Sequence, residues 1–382
     1  MKRLAVFCDG TWNRMSAEQP TNVLISAQLV LPRGDDGVAQ ITYYDEGVGT
    51  SYVINEWWET RLAGAFGLGL LDKIEAAYRF LIFNYEPGDE IFIFGFSRGA
   101  FTARSLAGLI RKCGIVPRAS AREIRNIFAF YKDGGTHPDS DEAQRRRMAW
   151  SPDVILKEAD RSWRLEHGGD PTIVANAMPL IIRYVGVWDT VGALGIPQHL
   201  LVGSLFGTGA KYQFHDTALS STVKAARHAV ATDEDRLTFG PALWSNLDAL
   251  NAGSPGEKYQ QLWFPGDHGS VGGGGEIRGL SNDALGWIMD GARAEGLAID
   301  NVRLDGLRAM ADPLAPLHNQ TKAPDFLDRI YRRGHREGPQ QESLLAESTR
   351  NRLAYEAKGR TWEPYRPATL KALWPKVEED VS

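Results

Sequence analysis

Four residues in this chain have the types and settings to do chemistry together: Asp9, Ser97, Asp189 and His268. Ser97 stands in Gly95-Phe96-Ser97-Arg98-Gly99, directly after the apolar run Glu90-Ile-Phe-Ile-Phe94. This G-x-S-x-G pattern between a strand and a helix is a nucleophile elbow, in which the serine takes a strained backbone with positive φ and small flanking residues let strand and helix approach. An ordinary tight turn can carry the same letters. The apolar run before it and the helical spacing of Ala100 to Ile110 after it favour the catalytic reading. A serine hydroxyl needs a base to attack near neutral pH, histidine suits that task, and the histidine needs a carboxylate to fix its tautomer and steady the imidazolium. Ser97, Asp189 and His268 follow in the order Ser, Asp, His, which is that of α/β-hydrolases and differs from chymotrypsin-like and subtilisin-like enzymes.

Each member has rivals. Asp267, Asp233 and Asp283 compete with Asp189 for the acid, and Asp189-Thr190 could simply cap a turn. His228 and His215 compete with His268, but His228 falls in a stretch of helix-like spacing, whereas His268 sits on a glycine-flanked loop. The oxyanion that forms on attack needs donors, each typically worth about 3 kcal/mol. The Arg98 amide supplies one, and Gly10 or Thr11, in the loop Asp9-Gly-Thr-Trp-Asn13, supplies a second, with Asp9 shaping that loop. Two other chemistries share these letters. Asp9-Gly10-Thr11 is like the end of the Asp-x-Asp-Gly-Thr motif of aspartate-based phosphatases, yet Phe7 stands where the nucleophile should be. A metal site from Asp9, Asp189, Asp267 and His268 lacks any paired ligand spacing. The run Gly272 to Gly275 lacks the Lys-Ser/Thr ending of a phosphate loop.

The elements that must position these groups are read from apolar runs. Leu4 to Cys8, Ala39 to Tyr44, Glu90 to Phe94, Leu180 to Trp188 and Tyr259 to Phe264 read as strands, and those before Asp9, Ser97, Asp189 and His268 each end in the polar loop bearing that residue. Helices are expected over Asn22 to Leu31, Leu71 to Tyr85, Ala100 to Ile110, Val223 to Asp233 and, capped by Ser281-Asn-Asp283, Ala284 to Ala294. The stretch Asn55 to Leu70, with Trp57 and Trp58, reads as irregular and as an access loop or lid; Leu200 to Phe206 is a second apolar stretch that could line an acyl pocket. Residues 117–175 are charged with helical periodicity in pieces and read as an inserted helical cap. Residues 1–312 then form the core, and residues 313–382 a C-terminal extension to which no role can be assigned.

Composition bounds the rest. A chain of 382 residues with 43% hydrophobic content and net charge −5 can bury a large core and carries no electrostatic footprint for nucleic acid. Arg145-Arg146-Arg147 sits among Asp139, Asp141 and Glu142 as a solvated face. Two cysteines, Cys8 and Cys113, cannot build a disulfide framework, and their apolar settings fit reduced thiols. The N-terminal apolar stretch is too short for a signal peptide or a membrane span, which fits cytoplasmic synthesis.

The segments Phe7–Asn13, Tyr44–Thr50, Gly88–Arg104, Val187–Gly192 and Trp263–Gly274, with the Asp-Glu-x-Arg run inside Ala229–Phe239, resemble the DUF2235 family, which includes the catalytic domain of Tle1-type phospholipase effectors of type VI secretion. The resemblance spans about residues 4 to 295. It implies an α/β-hydrolase fold, a mostly parallel sheet with helices on both faces, a triad falling on Ser97, Asp189 and His268, and hydrolysis of lipid-like esters. The expected function is a serine hydrolase cleaving lipid or phospholipid esters through an acyl-enzyme, with no cofactor, no metal and no nucleic acid. Peripheral contact with a membrane surface and export by a specialised secretion system are compatible with it. Two alternatives are a catalytically silent hydrolase-fold binding protein, in which Ser97 is unreactive, and a metal-dependent hydrolase using Asp9, Asp189 and His268, whose activity survives Ser97→Ala.

Overall fold

The computed structural model describes residues 1–10, 15–47, 62–133, 135–192, 218–319, 333–355 and 364–374, without the side chains of residues 62–68 and 238. The strands β1 (Arg3–Cys8), β2 (Gln40–Asp45), β3 (Glu90–Phe96), β4 (Ile181–Trp188), β5 (Val223–Ala231) and β6 (Tyr259–Phe264) form one sheet in the order β2-β1-β3-β4-β5-β6. Every pairing is parallel. Parallel strands are buried on both faces and read as continuous apolar runs, as β1 and β3 do.

Right-handed crossovers decide which face each helix covers. Helix α1 (Asn22–Leu29) carries the chain from β1 to β2, and α2 (Leu62–Asn84) returns it to β3. Helix α3 (Arg98–Cys113) follows β3. Alternate residues of the strands then meet different helices. Leu4, Val6, Ile91 and Ile93 pack with Ile74, Tyr78 and Leu81 of α2 and Leu106 and Ile110 of α3. Ala5, Phe7, Phe92 and Phe94 pack on the other face with Val23 and Leu29 of α1 and with Leu285 and Ile288. The rings of Phe7 and Phe94 stack at 4.6 Å between centroids, joining β1 to β3. Chain direction across the sheet reverses between β1 and β3, and in open α/β sheets ligands bind outside the carboxyl ends of the strands at such a switch point. Asp9 and Ser97 lie there.

The insertion contains α4 (Ile124–Lys132), α5 (Asp141–Trp150), α6 (Ala159–Glu166) and α7 (Pro171–Asn176). It packs on α2 and the second half of α3: Ile127 and Phe128 enter the core beside Tyr78, Tyr131 donates to the Ser105 carbonyl at 3.0 Å, and Arg147 reaches the carbonyls of Arg111 and Lys112. The expected cap therefore flanks the molecule at the end of α3 away from Ser97.

The remaining helices are α8 (Leu247–Ala252), α9 (His268–Gly272), α10 (Gly279–Ala294), α11 (Asn301–Ala309) and α12 (Glu347–Ala354). Three expectations are corrected. Val223 to Asp233 is not a helix, since Val223–Ala231 is strand β5 between β4 and β6. Its alanines and valines at helical spacing also suit a strand buried on both faces, where no periodicity is required. Helix α10 begins at Gly279 after Arg278, so Ser281, Asn282 and Asp283 lie inside it rather than capping it. Residues 62–70, read as irregular, belong to α2. Trp57, Trp58 and Leu200 to Phe206, read as lid or pocket, lie outside the described residues.

Beyond residue 313 the chain closes the far edge of the sheet. Leu345, Leu353, Leu370 and Leu373 bury Trp263 and Val230, and the Trp263 carbonyl accepts from the Ala346 amide and the Thr349 hydroxyl. This covers the open edge of β6, which would otherwise present unpaired backbone groups. No helix among the described residues is long and apolar enough to cross a membrane.

Candidate active site

Ser97 ends β3 with φ 59° and ψ −123°, a conformation that L-residues rarely adopt. Its amide donates to the Trp188 carbonyl at 3.0 Å, which fixes the elbow against the end of β4. The glycines beside it are required by contact. A Cβ on Gly95 would lie 2.4 Å from the Gly99 carbonyl oxygen, and one on Gly99 would lie 2.1 Å from the Cys8 carbonyl oxygen. Only glycine lets α3 start this close to β1 and β3.

Asp189 follows β4 as Ser97 follows β3, and the register pairs the residues before them, Phe96 with Trp188. Asp189 also has positive φ, 38°, and is fully buried. Its Oδ2 accepts from His268 Nδ1 at 2.5 Å. An ionised carboxylate only accepts, so Nδ1 carries the proton and Nε2 is left as the acceptor. Burial would push the Asp189 carboxyl up, but the Arg336 guanidinium and His268 outweigh it and hold the group well below the usual carboxylate range.

His268 opens α9 just after β6. Its amide donates to Glu234 Oε2 at 3.2 Å. Glu234 is itself gripped by Arg236 at 2.6 and 2.7 Å; burial pushes its carboxyl up, and Arg236 outweighs this so that it lies below its ordinary value. The imidazole lies 4.5 Å from the Phe96 ring and meets Phe239 edge-on at 5.1 Å. A Cβ on Gly272 would lie 2.0 Å from the Phe96 ring, so α9 sits on the residue preceding Ser97. His268 and Ser97 are thus joined through Phe96. Among the described residues no hydrogen bond links their side chains, and the serine hydroxyl caps no helix amide. Such bonds often tighten only once substrate is bound.

The site stands inside a known sequence family. The family described as "T6SS, Phospholipase effector Tle1-like, catalytic domain" matches residues 2–291. The chain belongs to it. A Saccharomyces cerevisiae protein, YEL023C, is 28% identical over 248 residues, 62% of this chain and 32% of its own length, so this Tle1-like chain spans about a third of that relative. Two solved structures are also similar at low identity. One is a protein from Pseudomonas aeruginosa (16% identity, TM-score 0.44, covering 100% of this chain and 59% of that one). The other is the Tle1 effector bound to the VgrG spike of the type 6 secretion system (14% identity, TM-score 0.41, covering 86% and 82%).

Other expected residues of the Tle1-like domain take supporting places. Asp9 Oδ2 accepts from the Thr21 hydroxyl at 2.6 Å and the Tyr44 hydroxyl at 2.7 Å, and Oδ1 from the Gly10 amide at 2.6 Å. Asp9 therefore braces the β1 loop. The Gly10 amide, expected in an oxyanion hole, here donates to this carboxylate, and Thr11 lies outside the described residues. Arg98 supplies the first amide of α3, next to Ser97.

The rivals are accounted for. Asp267 caps α9 through the Ser270 amide at 2.8 Å, and Asp233 holds the Gly266 amide and the Tyr365 hydroxyl at 2.6 and 2.7 Å. Asp283 lies within α10. His228, on β5, accepts from the Thr190 amide at 3.1 Å through Nε2 and meets Gln261 at 3.0 Å through Nδ1. Burial, with Arg104 nearby, pushes His228 down to about 3, so it is a neutral structural imidazole. His215 lies outside the described residues. Asp9 and Asp189, which the metal alternative would use, are turned to hydroxyl, amide, imidazole and guanidinium hydrogens. Among the described residues no three His, Cys, Asp or Glu side chains gather to hold an ion.

Sequence reasoning missed Arg336, which binds both oxygens of Asp189 from a segment with no readable role. No local motif marks it. Glu234 and Arg236 did carry a signal, the Asp-Glu-x-Arg run.

Proposed function

We propose that this protein is a serine hydrolase that cleaves carboxylic esters, lipid or phospholipid esters foremost, through an acyl-enzyme on Ser97. The observation that carries this is the serine at positive φ on a glycine-flanked elbow, at the end of the strand next to the one that ends in Asp189, whose carboxylate is bonded to the buried His268. In the proposed reaction His268 Nε2 takes the proton as Ser97 Oγ attacks the ester carbonyl, and the developing imidazolium is steadied by Asp189. The tetrahedral oxyanion falls to the Arg98 amide and a second donor from the β1 loop. Collapse expels the alcohol with the proton returned by His268, and water then repeats the sequence to release the acid. Family membership supports the choice of lipid substrates.

The test is fluorophosphonate labelling of wild type, Ser97→Ala and His268→Ala, beside hydrolysis of short-chain esters, long-chain esters and a phospholipid. Labelling and turnover by wild type alone are expected. Folded wild type that neither labels nor cleaves any ester overturns the reading in favour of a silent binding protein. Activity that survives Ser97→Ala and falls with a chelator overturns it in favour of metal-dependent hydrolysis.

A further inference from the structure

Arg336 closes both terminal nitrogens of its guanidinium on three elements. Nη1 donates to Asp189 Oδ1 at 2.6 Å and to the Ala231 carbonyl at 2.8 Å, and Nη2 donates to Asp189 Oδ2 at 2.9 Å and to the Phe239 carbonyl at 2.5 Å. Both side chains of the ion pair are shut from solvent, 3% exposed for Arg336 and 0% for Asp189. A buried pair of this kind is a weak device for stability, because well-packed apolar residues often serve as well. What the fork does supply is orientation. The two parallel bonds define the plane of the carboxylate, and the Ala231 amide completes Oδ1 at 2.9 Å. Oδ2 is left facing His268. The bond to the Phe239 carbonyl fixes the residue whose ring packs edge-on against His268.

We propose that Arg336 is the positioning residue of the acid–base pair, holding Asp189 ionised and in the single orientation that presents Oδ2 to His268 Nδ1. This rests on the acyl-transfer reading of Ser97, Asp189 and His268. Several groups set the charge seen by Asp189: Arg336 from the C-terminal segment, His268 from α9 and neutral His228 from β5. The Glu234–Arg236 pair lies behind His268, and Arg104 lies near His228. Among the described residues Arg336 is the arginine in direct contact with the carboxylate. Without it Asp189 stays buried and loses its largest charge partner, so its carboxyl takes up a proton at higher pH. A protonated Asp189 no longer stabilises the imidazolium.

The experiment uses the full chain with Arg336→Met, which keeps bulk but no charge, and Arg336→Lys, which keeps charge but no fork. Thermal unfolding confirms folding, and kcat and KM for a short-chain ester are followed across pH. For Arg336→Met kcat falls by about 100-fold, the scale expected when a catalytic group is held about 1 Å out of place, with KM within about threefold of wild type. The acid limb of its pH profile moves to higher pH. Arg336→Lys retains the acid limb of wild type but loses about tenfold in kcat. A structural role alone would lower the unfolding temperature and leave the acid limb in place. Should Arg336→Met not fold, Arg336→Lys with wild-type kcat overturns the proposal.

Active Ser97→Ala, or inactive wild type, overturns the serine reading whatever the arginine variants do. The clamp is then tested without turnover, by a double-mutant cycle of unfolding between Asp189→Asn and Arg336→Met. Non-additive losses support it, and additive losses overturn it. If wild type is active, Ser97→Ala is dead and both arginine variants match wild type, the arginine proposal alone falls.

Discussion

Ser97 and His228 show opposite ways in which a single residue can be held out of its ordinary state. At Ser97 the departure is in the backbone, and serine or alanine bears the same strain at φ 59° while glycine does not. Ser97→Gly is therefore expected to unfold with about 1 kcal/mol more free energy than Ser97→Ala, although the proposed mechanism makes both inactive; denaturant titration of the two variants checks this. At His228 the departure is in protonation. Folding holds its imidazole neutral down to about 3, whereas in the unfolded chain it charges below its ordinary value near 6.5. The unfolded state thus binds the extra proton, and the His228 contribution is present above that ordinary value and is lost as pH falls toward 3. His228→Gln should flatten the pH dependence of stability across that window by up to about 1.4 kcal/mol per pH unit, read from urea unfolding at stepped pH. Identical slopes in the two proteins would show that His228 charges inside the fold.

Among the elements, the β3–α3 junction is the most tightly specified. Gly99→Ala drives a methyl group into the Cys8 carbonyl, so either α3 or β1 must move. A loss of about 1–3 kcal/mol is expected from such overpacking, together with most of the proposed esterase activity, because Ser97 and the Arg98 amide move with α3. Wild-type turnover in a destabilised Gly99→Ala would separate the packing of this junction from the chemistry. The same junction was the most legible part of the sequence, since its steric demands are local and glycine is the residue that meets them. Strands β1 and β3 were legible for a related reason: burial on both faces leaves near-continuous apolar runs, while β4 and β6 were read from apolar stretches interrupted by Arg183 and by Gln260 and Gln261. Strand β5 was not, because its alanines and valines satisfy a helical spacing as well as a buried strand, and only its neighbours β4 and β6 decide. Ser97, Asp189 and His268 could be read from strand ends and chain order. The bonding of Gly10 to Asp9 depends on Tyr44 and Thr21 meeting that carboxylate in three dimensions, which no local pattern records.

At the scale of the whole molecule, the segment beyond residue 313 is structural where the sequence assigned it nothing. Its leucines are too sparse to announce an element, yet Leu345, Leu353, Leu370 and Leu373 converge on Trp263 at the edge of the sheet. Leu345→Ala should cost about 2–4 kcal/mol and raise the rate of limited proteolysis in the C-terminal segment ahead of the β-sheet. Equal cleavage in wild type and variant would place the stability of that segment elsewhere.

Arg336 also introduces an order in time. A ribosome delivers Ser97, Asp189 and His268, in that sequence, before it delivers the guanidinium that grips Asp189. A nascent chain halted between residues 268 and 336 holds every member of the proposed triad and leaves the aspartate unclamped. The residue that fixes the aspartate of the proposed triad thus arrives in the same segment that seals the edge of the sheet.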